Sequence, residues 1–223
     1  YLTEKELVNK EKYLRVLYPY SGSVRDPSDF SEETADYIRR TVSAEHARTA
    51  GSALFSAIYD ADSRESAEKH LCRVMFFGKS VTVNERIVQP LARAEDKIRK
   101  AASSDQSVAS FRDSLLSADA YSWSADRTGE EDAFHSFGAA IDIFPKGAGR
   151  LVVYWKFEKD RKGDAWIRIP PAERWAPPEK VIRIFEGEGF IWGGNWTAWN
   201  NMHFEYRPEQ IIAARNPDLV QTY

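Results

Sequence analysis

The chain has 223 residues, 43% hydrophobic and 29% charged, an ordinary globular balance with ample material for a core. Its formal net charge of −3 argues against a nucleic-acid partner, whose phosphates call for a basic face. A lone cysteine, Cys72, excludes an intrachain disulfide and a thiolate metal site, and no apolar run reaches the roughly 20 residues of a membrane span. Seven Trp and ten Tyr are more than a bare core needs. Several fall between Trp155 and Trp199, where they suit either a Trp-rich core or a groove lined with flat amphipathic rings.

The first half reads as helical. Leu7, Val8, Leu14 and Leu17 share one face of a helix over Leu2 to Tyr18, which Pro19, Gly22 and Pro27 break. Ser31 followed by Glu32 and Glu33 is an N-cap with an acidic first turn for a helix running towards Tyr59. A strand pair, Arg73 to Phe77 and Ser80 to Val83, is expected to turn at Gly78-Lys79. Ile87, Leu91, Ala94 and Ile98 keep helical spacing, with Pro90 a candidate for the first turn. A further helix is expected over Val108 to Leu116.

The second half changes character. Gly138 to Phe144, Leu151 to Trp155 and Met202 to Tyr206 read as strands, and Pro178 to Glu186 as a helix stopped at Gly187. Helices first and then mostly strands predict an α+β fold with a small antiparallel sheet. There is no internal repeat, and a weak boundary lies near Ala118.

Four histidines are present. His46 and His70 stand in polar stretches and read as solvated helix residues. His135 opens the run His135-Ser136-Phe137-Gly138-Ala139-Ala140-Ile141-Asp142-Ile143. Asp142 projects from the strand face opposite Ile141 and Ile143. A carboxylate there is costly unless backbone donors, a partner or a metal satisfy it. In Met202-His203-Phe204-Glu205-Tyr206, His203 and Glu205 share one strand face and the three apolar or aromatic residues share the other. Two His and one Asp form a sensible set for Zn²⁺ with a fourth position open to water.

His135 to Asp142 matches the H-x-x-G-x-A-x-D motif of the D-alanyl-D-alanine metallopeptidases, a family related to lysostaphin-type peptidases and Hedgehog domains. Gly189-Phe190-Ile191-Trp192-Gly193-Gly194-Asn195-Trp196 and then Met202 to Glu209 resemble its second block. Val74 through Arg112 is similar to the lead-in of longer members, so the resemblance spans roughly 70 to 215. It divides the chain into a helical N-terminal region, 1–70, and a zinc peptidase domain, 71–223, or makes both one compact unit.

The resemblance implies His135, Asp142 and His203 as zinc ligands. It also implies peptidoglycan stem peptides as substrates and a place in the bacterial cell envelope or periplasm. The start at Tyr1 is compatible with a removed export signal or membrane anchor. In the family an Asp or Glu three residues before the last His is the general base; here that position holds Asn200. A carboxamide cannot carry a proton at neutral pH. Three explanations stand: an introduced inactivating substitution, a protein that binds without cutting, or Glu205 as base. Glu205 also suits support of a ligand from behind.

The family commonly has Ser two and Arg four positions before the first ligand, where this chain has Ala133 and Glu131. Arg127 is the nearest cation for a substrate carboxylate or an oxyanion, or a solvated loop residue beside Asp126. Trp192 is the candidate aromatic contact to substrate. The reading is a carboxypeptidase cutting the D-Ala-D-Ala terminus. Its alternatives are an L-Ala-D-Glu endopeptidase and a zinc-containing wall-peptide-binding protein without turnover.

Overall fold

The computed structural model describes residues 20–22, 26–43, 52–124 and 134–216. The helix expected over Leu2 to Tyr18, His46, and the candidate positions Arg127, Glu131 and Ala133 lie outside the described residues. Helices α1 (Glu32–Ser43), α2 (Ser52–Tyr59) and α3 (Arg64–Glu68) come first. Ser31 accepts from Thr34 N as its position before α1 predicts. The single helix expected from Ser31 to Tyr59 is two described helices.

The hairpin of β1 (Leu71–Phe76) and β2 (Lys79–Asn84) turns one residue earlier than expected. Phe77 and Gly78 occupy the turn, both with positive φ (47° and 76°). That pair of angles is what a tight two-residue hairpin with the native strand twist requires. The next helix, α4 (Glu85–Ala102), begins well before Pro90, which lies inside it. Asn84 caps it by accepting from Arg86 N, so the cap rather than the proline sets the start. Ile87, Leu91, Ala94 and Ile98 are all buried, as their spacing predicts.

Helix α5 (Gln106–Ser114) starts at Asp105, whose carboxylate accepts from Ser107 N and Val108 N. The expected helical end at Leu116 is instead β3 (Leu115–Asp119), which feeds a four-stranded antiparallel sheet. β4 (Ala140–Pro145) pairs with β3 on one side and β6 (His203–Tyr206) on the other, and β5 (Phe190–Trp192) closes the order β3-β4-β6-β5. Leu151 to Trp155 is not a strand. Only Tyr154 makes a single bridge, to Asn200, and Trp155 opens helix α6 (Trp155–Lys162). The β-branched and aromatic run satisfies its burial by packing Val153 and Trp155 inward without a continuous ladder.

Helix α7 (Glu179–Gly187) lays Val181, Ile182 and Phe185 against the sheet, and α8 (Pro208–Arg215) follows β6. Phe185 stacks on Phe204 at 4.1 Å between ring centroids. The fold is α+β, as the element order predicted. Phe55, Tyr59, Ala61 and Ala67 from the N-terminal region join the same apolar cluster as Ile141, Ile143 and Phe204 from the sheet. Among the described residues, the core therefore runs across position 70. A second cluster gathers Ala35 and Ile38 of α1 with Trp155, Trp166 and Trp199.

Candidate metal centre and family assignment

Strands β4 and β6 pair with Asp142 opposite His203, Ala140 opposite Glu205 and Ile141 opposite Phe204. Period-two alternation then decides the chemistry. Ile141 and Phe204 turn to the core, while Asp142, His203 and Glu205 share the other face. Phe204 burial thus fixes the register that brings the two polar side chains together, because a one-residue slip would reverse the faces.

His135 arrives from a single helical turn at residues 134–136 that anchors itself through Phe134 and Phe137, both buried. Gly138 ends that turn with φ +68°. A Cβ there would lie 2.7 Å from Leu71 Cδ2 and 2.8 Å from Asn84 N, so the glycine also allows close contact with the β1–β2 hairpin. The contact is held by Asn84 N donating to Gly138 O at 2.8 Å.

The donor atoms of His135, Asp142 and His203 all lie within 4.8 Å of one another. His203 Nδ1 is 2.9 Å from Asp142 Oδ1, and His135 Nε2 is 3.4 Å from Asp142 Oδ2. The far sides of both rings are occupied. His135 Nδ1 donates to Ala120 O, and His203 Nε2 lies 3.2 Å from Glu205 Oε2. These outer bonds leave His135 Nε2 and His203 Nδ1 as the lone-pair atoms, both aimed at a carboxylate. Three acceptors converging in this way call for a cation among them. The residues fit a metal of the N/O-ligand class.

Protons compete with a metal for the same atoms, because a charged imidazole has no lone pair to offer. Burial works against a charged His203, but contacts with Asp142 and Glu205 outweigh it and push its pKa up to about 10. Burial similarly opposes charge on His135, and Asp142 overcomes it to raise that pKa. Burial would raise the pKa of Asp142, yet the two imidazoles hold it well below the usual carboxylate range.

Asn200 is buried and begins the turn into β6. Its backbone is held by Asn200 N donating to Gly193 O (3.0 Å) and by His203 N donating to Asn200 O (3.2 Å). Its side-chain oxygen accepts from Met202 N at 3.3 Å. The approach requires glycine at 193, where a Cβ would stand 2.7 Å from Asn200 O.

Trp192 lies buried in the core cluster, its ring N–H donated to Asn201 O at 3.0 Å. A Cβ at Gly194 would fall 2.1 Å from that ring, so Trp192 packs the loop rather than lining an open groove. The ring beside the centre is instead half-buried Trp196, 5.2 Å from the His203 ring. Its place within the Gly-rich block was the available signal. Ala120 carried none, because a backbone carbonyl has no side-chain signature.

Residues 126–206 match the family model for D-alanyl-D-alanine carboxypeptidase. That segment, little more than a third of the chain, is similar to this family. The match contains all three converging donors, the Gly193-Gly194 turn and Asn200, and it is shorter than the span of roughly 70 to 215 expected from sequence. No curated protein and no solved structure matches the chain. The matched segment supplies strands β4, β5 and β6 together with His135. The hairpin, α2 and α4 that pack around it lie outside the match. Among the described residues, no helix is long and apolar enough to cross a membrane.

Proposed function

We propose that this chain is a zinc-dependent D-alanyl-D-alanine carboxypeptidase acting on peptidoglycan stem peptides, with His135, Asp142 and His203 holding the metal. The observation that carries this reading is the convergence of two imidazoles, each braced from behind, and one carboxylate inside a segment that matches the carboxypeptidase family. Zinc bound there supplies a polarised water and a Lewis acid for the scissile carbonyl. Ala120 O and Glu205 hold the two rings in the tautomers that present Nε2 and Nδ1 inward. Trp196 offers a flat wall for the peptide beside His203. Arg127, the second residue of the matched segment, is the proposed anchor for the terminal carboxylate.

Position 200 decides how well the site turns over. Asn200 can hold a water by hydrogen bond but cannot take its proton, which lowers the expected rate about 10²–10⁴-fold relative to a carboxylate. The second reading, a wall-peptide-binding protein, draws on the same residue: the Asn200 oxygen already accepts from Met202 N. Glu205 is occupied by His203 and Arg207, which favours support of the ligand over proton transfer.

Digestion of purified muropeptides read by mass spectrometry tests the function. Release of terminal D-Ala supports the carboxypeptidase, and a cut after L-Ala replaces it with the endopeptidase. Stoichiometric peptide binding without any cleavage by either this chain or Asn200→Asp favours the binding protein.

A further inference from the structure

Behind Glu205 stands Arg207, two residues further along the chain and 1% exposed. Its Nη1 donates to Glu205 Oε1 at 3.2 Å, and its Nε donates to Glu209. The guanidinium carbon lies 4.7 Å from the Phe55 ring centroid and 4.8 Å from that of Phe134. Those two rings meet edge to face at 4.9 Å, so the cation sits in the corner between them. Phe134 precedes the proposed ligand His135. Phe55 belongs to α2, outside the family segment.

From this we infer that Arg207 is a positioning residue for the metal centre, fixed by an aromatic corner that the N-terminal region completes. A planar guanidinium bound to a carboxylate and seated against two rings has little freedom to turn. It aims one Glu205 oxygen at itself and leaves the other for His203 Nε2, which fixes the ring with Nδ1 facing Asp142. The chain of contacts Phe55–Arg207–Glu205–His203 thus couples a helix outside the carboxypeptidase segment to the orientation of a proposed ligand. The inference rests on the proposed metal site.

The test is metal affinity by chelator competition, with the absorption spectrum of the Co²⁺-loaded chain as a readout of ligand geometry. Arg207→Met keeps much of the volume and removes the fork. It is expected to weaken the Zn²⁺ Kd by about 10–100-fold and to alter the Co²⁺ spectrum, since partners that orient a metal-bound histidine carry effects of that size. In a Glu205→Gln background the same substitution should cause little further change, because Arg207 acts through Glu205. Phe55→Leu keeps an apolar side chain and loses the ring, so it should weaken binding by a smaller factor, and it carries the test if Arg207→Met does not fold. Wild-type Kd and Co²⁺ spectrum in a folded Arg207→Met or in Phe55→Leu would overturn the inference, as would undiminished effects in the Glu205→Gln background. Failure of the unaltered chain to bind one metal sinks the proposed function itself, a result distinct from normal binding that ignores Arg207.

Discussion

Asp142 and His203 face each other across neighbouring antiparallel strands, with Asp142 Oδ1 2.9 Å from His203 Nδ1. They are 61 residues apart in sequence and directly opposed in the sheet. Ile141 and Phe204, the adjacent pair in the register, are fully buried on the other face and hold that opposition in place.

Metal content follows from this pairing. The chain should bind one zinc, and His203→Ala should lose it, whereas His70→Ala and His46→Ala should retain it. Elemental analysis after dialysis checks this, and stoichiometric zinc in His203→Ala would remove that residue from the ligand set.

Restoring a carboxylate at position 200 should change turnover and little else. Asn and Asp are nearly isosteric, so Asn200→Asp is expected to raise kcat by about 10²–10⁴-fold with unchanged zinc content. Equal rates for the two chains would show another base at work, and Glu205→Gln would be the next measurement.

If Arg127 anchors a terminal carboxylate, amidating the stem peptide should weaken binding by about 1.5–3 kcal/mol, the worth of a charge-assisted hydrogen bond. Calorimetric titration of the acid and the amide compares them. Equal affinities would take Arg127 out of the site and favour an endopeptidase.

Gly138→Ala should destabilise the chain by more than about 1 kcal/mol in chemical denaturation, because its φ of +68° and its contacts with Leu71 and Asn84 leave no place for a Cβ. Zinc affinity should fall with it, since the same turn carries His135. A variant with unchanged stability and metal affinity would contradict that close packing.

His70 offers a pH-dependent contact away from the centre. Its ring nitrogens meet Asp60 at 3.1 Å and Glu85 at 3.0 Å, and these bonds, Asp60 first, raise its pKa above 6.5. A raised folded pKa contributes stability fully below 6.5 and loses it as pH rises through the folded value. The melting-temperature gap between this chain and His70→Ala should therefore be largest below pH 6.5 and shrink in alkaline buffer. A gap that widens with pH would reverse the assignment. His70 faces solvent as its polar neighbours suggest, but it lies in the turn after α3 rather than in a helix.

Much of the centre was legible in the linear pattern. Alternation was enough to place His203 and Glu205 on one strand face and Asp142 opposite Ile141 and Ile143, whereas the joining of His135, Asp142 and His203 into one ligand set followed from the resemblance to the metallopeptidase motifs. The α+β class and the helix around Ile87 to Ile98 were legible from local periodicity as well. The strand expected at Leu151 to Trp155 was not, because isolated propensity cannot tell a paired strand from an extended segment buried against a helix. Nor was the fate of Trp192: a large aromatic beside two glycines suits a groove or a core, and only the packing of Gly194 against its ring selects the core. The brace behind the ligands lay furthest from view. Strand alternation had already placed Glu205 beside His203, but Ala120 O, Arg207 and Phe55 come from three separate stretches of chain, one of them through a backbone atom, and such contacts arise only when the sheet, the hairpin and α2 close around one interior.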